Sequence, residues 1–196
     1  MYDIFYAQKV WGCKNICLSL RQDIFTPMRK VIALIVLMSF AIVARGQNAQ
    51  ITKIRQLYAD TKNIIERKKD AELPPDETVV TSNYMAPGAG PIKDITHYYY
   101  SGEFDENLGN VYYTPYMMTR KYNVGASEYY EEYLFDHGDL VFYFSKNQDN
   151  ETRHYWGANG FHHEDVKGEK LIDDVQASRL SYDLKEAFNR LMNREY

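Results

Sequence analysis

The sequence predicts an α+β fold, an antiparallel β-meander of five or six strands flanked by an N-terminal and a C-terminal helix. Three observations predict it. Apolar residues recur at helical spacing near residues 49–69 and again near 174–193. Aromatic runs with period-two alternation fill the stretch between them. Turn residues separate those runs, and helices segregated to the ends of an antiparallel sheet define the α+β class.

The elements follow in chain order. Ile51, Ile54, Leu57, Tyr58, Ile64 and Ile65 form one stripe of an amphipathic helix, with Lys53, Arg55, Lys62, Lys68 and Lys69 mostly on other faces. Pro74-Pro75 ends it. Thr78 to Met85 reads as a strand, and Ala86 to Pro91 as a loop in which neither helix nor central strand is expected. Ile92–Glu103 and Val111–Asn123 are aromatic strands. Glu128–Phe135, Asp136-His137-Gly138-Asp139 and Leu140–Phe144 read as strand, tight turn, strand, with Gly138 supplying the positive φ. Leu140, Phe142 and Phe144 alternate with Val141, Tyr143 and Ser145, so the first set is expected to face the core. Glu151–Trp156 returns as a further strand. The polar stretch Gly157–Lys170 carries no periodicity, and Leu171-Ile172 has the character of a short edge strand. Val175, Leu180, Leu184, Ala187, Phe188 and Leu191 mark the last helix, capped by Asp173 or Asp174. Both helices are expected on one face of the sheet, which leaves the other face polar or partner-binding.

The beginning of the chain has a different character. Met28-Arg29-Lys30 precedes a hydrophobic segment of 14 residues, Val31–Ala44, and small residues follow at Ala44-Arg45-Gly46. The pattern is that of a secretory signal peptide over 28–46, cleaved between Gly46 and Gln47. The run is shorter than the roughly 20 residues that a spanning helix needs, so no stable membrane anchor is expected after cleavage. Residues 1–27 read as an over-long start that does not fold, and residues 47–196 as a single α+β domain in the periplasm or outside the cell. Cys13 and Cys17 are spaced one residue too far apart for a redox pair, and processing removes both. The mature domain is then cysteine-free in an oxidising compartment.

Removal of the leader changes the formal charge from −4 to −8, with 17 basic and 25 acidic residues left. That balance argues against nucleic acid or an anionic membrane as partner. Tyrosine is the compositional outlier. Of 18 tyrosines, 16 remain after Tyr2 and Tyr6 go with the leader. Tyrosine favours strands and tolerates a half-wet surface, because its ring is apolar and its hydroxyl reaches water.

Few motifs carry chemistry. His162-His163-Glu164-Asp165, with His154 and His137, has metal-ligand residue types, but adjacent strand histidines point to opposite sides and no helical His-x3-His spacing occurs. A solvated loop is the simpler expectation, with no cofactor and no metal. Glu128, Glu131 and Glu132 offer carboxylates for acid–base work, yet cross-strand pairing with Arg153, Arg120 or Lys121 is the simpler explanation. No nucleophile elbow or phosphate loop is present, and no catalytic residue is assigned. The aromatic strands are the better candidates for function. Tyr98 and Tyr100 share one side of their strand, and Tyr112, Tyr116 and Tyr122 share a parity on the next. With Trp156, the rings of Tyr98, Tyr100, Tyr112 and Tyr116 form an expected ligand- or partner-binding face.

Val79-Val80-Thr81-Ser82-Asn83-Tyr84-Met85-Ala86-Pro87-Gly88-Ala89-Gly90-Pro91, the hairpin Tyr129–Lys146 and Ala187–Asn193 resemble uncharacterised secreted or periplasmic proteins of Bacteroidales-type bacteria. The likeness covers most of residues 47–196 and none of 1–27. It implies export and no particular chemistry. The functional expectation is thus a non-enzymatic interaction module for a protein or envelope component. An envelope glycan-binding or glycan-processing protein is the alternative, and a homodimer burying the same face is a third reading.

Overall fold

The computed structural model describes residues 47–71, 76–106 and 109–193. The expected signal peptide, its Gly46–Gln47 cleavage site, both cysteines and Pro74-Pro75 lie outside or partly outside these residues. Residues 47–69 form helix α1. Seven strands follow: β1 (Glu77–Ala86), β2 (Gly90–Asp105), β3 (Asn110–Val124), β4 (Ser127–Asp136), β5 (Asp139–Lys146), β6 (Glu151–Trp156) and β7 (His162–Lys167). Helix α2 (Asp174–Met192) closes the described chain. The strands lie side by side in chain order, every pair antiparallel, as a meander of successive hairpins. Gln50–Tyr196 make up one compact unit. Among the described residues no helix is long and apolar enough to cross a membrane.

Among the described residues the strand count is therefore seven, one more than the upper expectation. The extra strand is β7, in the stretch that lacked any periodic pattern. Its sequence His162-His163-Glu164-Asp165-Val166-Lys167 pairs backbone to backbone with β6, from Trp156↔His162 to Glu151↔Lys167. A charged sequence is what an edge strand uses to discourage further pairing, so hydrophobic alternation was never going to announce it. Leu171-Ile172, by contrast, is not a strand.

The two helices pack on opposite faces of the sheet, which corrects the expectation that both would cover one. On one face α2 supplies Ala177 and Phe188 to a core with Tyr98, Met118, Tyr133, Phe135 and Tyr143. On the other, Ile51 and Ile54 of α1 pack against Leu134, Phe142 and Tyr155, and Ile65 against Tyr99 and Met117. The physical reason is visible in β4, where every residue from Glu131 to Phe135 is buried. A strand buried on both faces shows a continuous run in place of alternation.

Two bulges refine the side-chain pattern. Tyr99 pairs with Met117 but Tyr100 with Pro115, so Tyr116 is an extra residue in β3. It packs beside Met117 on the α1 face, whereas Tyr122 belongs to the α2 face, so the expected common side for Tyr116 and Tyr122 is lost. Val141 plays the same part in β5. It moves Leu140 onto the α2 face with Tyr143, while Phe142 and Phe144 stay on the α1 face. The β4–β5 turn takes positive φ at His137 (50°) and Gly138 (85°), as a two-residue hairpin turn requires. In α2 Asp173 accepts from the backbone N–H of Gln176, and the Gln176 side chain reciprocates, which forms a capping box.

Candidate functional site

Glu131 and Glu132 adjoin in β4 and therefore enter opposite faces of the sheet. Glu131 is 1% exposed. Its carboxylate accepts hydrogen bonds from Tyr133 (2.7 Å), Tyr122 (3.1 Å) and Tyr143 (3.1 Å), with the Arg120 guanidinium 3.5 Å away. Arg120 also forms a forked pair with Asp94, at 2.9 and 2.5 Å. Burial opposes the Arg120 charge, but the hydrogen bond to Asp94 and the charges of Glu131 and Asp94 outweigh it and raise its pKa. Burial, then the charge of Glu131, pushes the hydroxyls of Tyr133, Tyr122 and Tyr143 well above the usual tyrosine range.

Glu132 has its own cluster beneath α1. Tyr58 and Tyr130 (2.5 Å) donate to it, and Lys62 lies 3.0 Å from it. Burial and the hydrogen bond to Glu132 raise Tyr58 and Tyr130 in the same way. Both carboxylates are thus acceptors saturated by tyrosine hydroxyls and cations. A group so occupied can hold the sheet and its helix together, and it presents no open side to a substrate.

The cross-strand expectation is met at Glu131 with Arg120 and at Glu128 with Lys121 (3.0 Å). Arg153 pairs instead with Glu151 in its own strand. Lys62 was missed, because no sequence pattern said which strand lies under α1.

The proposed aromatic face is not one surface. Tyr98 is 3% exposed, with its ring 5.4 Å from that of Phe188. Tyr100 is half-buried between Phe188 and Tyr113 under α2. Tyr116 is half-buried on the opposite face, and its hydroxyl has no hydrogen-bond partner. Trp156 shares the α2 face but stacks on His154 and His162 near the β7 edge, four strands from Tyr98. Tyr112 alone of the five is exposed, at 38%, near the end of the β2–β3 hairpin. The expected binding face needed one side of the sheet left open, and helices on opposite faces remove it.

Helix α1 crosses its face diagonally, from Arg55 beside Asp165 of β7 to Lys69 beside Tyr99 of β2. The stretch it leaves uncovered holds a cleft of about 520 Å³ at the ends of β3, β4 and β5. Lys121, Tyr130 and Lys146 lie across it in register, with Glu128, Tyr129, Asn147 and Gln148 around them. Lys146 Nζ sits 5.6 Å from the centre of the Tyr130 ring. Tyr129, next in the strand, turns its ring to the α2 face, where it stacks on Tyr122 at 9° from parallel. One aromatic ring, two amides, an acid and two ammonium groups converge on this hollow. Of these residues Glu128 and Lys121 are the ones the sequence singles out, Glu128 as an acid–base carboxylate or as the cross-strand partner of a basic residue such as Lys121.

The chain matches no family model, no curated protein and no solved structure.

Proposed function

We propose that the protein is an exported, non-enzymatic binding module and that its ligand is a short glycan held in the cleft between β3, β4 and β5. The observation that carries this reading is the cleft's lining, in which the Tyr130 ring stands beside Glu128, Asn147, Gln148, Lys121 and Lys146 within about 520 Å³, with Tyr129 at the margin. Volumes of this order suit small ligands. Sugars present C–H faces that stack on aromatic rings, and hydroxyls that both donate and accept. Glu128 supplies acceptors, the lysines supply donors, and the two amide side chains supply both. Export is supported by the basic residues and apolar run of 28–46.

The test is a glycan array followed by calorimetric titration of the best hits. Glu128→Gln and Gln148→Ala, both at exposed positions, are expected to weaken binding about tenfold or more while unfolding transitions stay unchanged. A correctly folded protein that binds no glycan would overturn the proposal.

Capture of a protein partner is supported by a different observation. The tip of the β2–β3 hairpin exposes Phe104 (64%) and Val111 (43%) beside Tyr112. Aromatic residues in such a patch often dominate protein-binding energy. Phe104→Ser would abolish that capture and leave glycan binding intact.

A further inference from the structure

The edge of the sheet holds a second, independent cluster. His154 of β6 is fully buried, and its Nε2–H donates to the Ile172 carbonyl at 3.1 Å. That bond directs the Nδ1 lone pair toward β7, where it meets His162 Nε2 at 3.2 Å and Glu164 Oε2 at 3.6 Å. All three ligand atoms lie within 4.8 Å of one another. On the outer side of the second ring, His162 Nδ1 faces Asp174 at 3.9 Å. Trp156 stacks on both imidazoles and walls the group.

The spacing matters because ligands about 2.0–2.2 Å from a tetrahedral zinc ion sit roughly 3.3–3.5 Å apart. The surroundings matter as well. Metal-bound histidines typically donate their other N–H to a backbone carbonyl or a carboxylate; Ile172 holds that place for His154, and Asp174, 3.9 Å from His162 Nδ1, lies on that side of the second ring beyond hydrogen-bond distance. With both outer nitrogens protonated, two lone pairs and a carboxylate converge on one point, and a cation resolves their repulsion. Lys170, whose Nζ is 2.6 Å from Glu164, partly meets that need from the solvent side and can swing away.

We propose that His154 Nδ1, His162 Nε2 and Glu164 Oε2 form a zinc(II) site with three protein ligands and a fourth position left to water. Two imidazoles and one carboxylate suit a borderline ion in tetrahedral geometry. The fold makes the site by a register that no sequence spacing displays. His154 lies opposite Glu164, and His162 lies opposite Trp156, two residues along the same face. His163 points to the other face, beside Tyr155.

The test uses the tag-free full chain with Cys13→Ser and Cys17→Ser, because thiolates would bind zinc on their own. Titration against a chromophoric chelator is expected to give one equivalent of zinc, and cobalt(II) is expected to give the intense visible bands of a tetrahedral centre. His162→Gln and Glu164→Gln, both at partly exposed positions, are each expected to weaken zinc binding by roughly 100-fold with unchanged circular dichroism, while His163→Gln leaves it unaltered. Absence of stoichiometric zinc binding would overturn the site and assign the contact to a simple His162-to-His154 hydrogen bond. Binding that survives both the His162 and Glu164 substitutions, or that His163→Gln weakens equally, would overturn it too.

Discussion

At Glu131 the chemistry of a single side chain decides how the sheet is held. Three tyrosine hydroxyls and a guanidinium converge on one buried carboxylate. Removing one partner of a buried, charged network leaves the others unsatisfied, at a typical cost of about 3–5 kcal/mol. Glu131→Ala is therefore expected to lower unfolding stability by about that amount in denaturant titration, and Glu131→Gln by less, since the amide still accepts. The tyrosines make a second prediction. Native Tyr58, Tyr122, Tyr130, Tyr133 and Tyr143 hold their protons above the ordinary value of about 10. The native state thus binds more protons than the unfolded chain in alkali. The stability this contributes is complete below about pH 10 and is lost as pH rises through the raised values. Tyrosinate absorbance is expected to rise in two stages, the later one coinciding with loss of the circular dichroism of the folded state. A single stage at the ordinary midpoint would contradict the buried clusters. The sequence showed that Glu131 had basic cross-strand partners available. It could not show the tyrosine shell, because Tyr133 and Tyr143 come together only through the β4–β5 register.

At the level of elements, the helices and hairpins were legible and the edge was not. Periodicity located α1 and α2 because an amphipathic helix repeats its apolar residues every turn. Even so, the buried side of α2 is Ala177, Ser181 and Phe188, and Val175 and Leu191, counted into the stripe from sequence, are exposed. Small buried residues carry little hydrophobic signal, which explains the misplaced edges of the stripe. Gly138 announced its turn because only a residue at ease with positive φ fits there. β7 announced nothing, since polar edge strands are held by backbone bonds. The capping box at Asp173 sets where α2 begins and how it leaves the edge of the sheet. Asp173→Ala is expected to cost about 1 kcal/mol, read as a lower thermal midpoint with an unchanged native fold.

For the whole molecule, the decisive fact is that both sheet faces are covered. A meander with one helix would offer a broad aromatic face, and this sheet offers instead a cleft where α1 stops short. The tyrosine excess is then explained by buried hydrogen-bonded clusters more than by a binding surface. Composition pointed to the abundance of tyrosine correctly but could not say where the rings lie, because coverage is a property of tertiary arrangement. The cleft was illegible for the same reason, since Lys121, Tyr130 and Lys146 are brought abreast by pairing between three strands.

Chemical-shift mapping of the isotope-labelled protein, titrated with envelope glycan fragments, is the most direct measurement of that central claim. Saturable shifts confined to residues 121, 128–130 and 146–148 are expected. No saturable change, or changes centred on residues 103–112 at the hairpin tip, would contradict it.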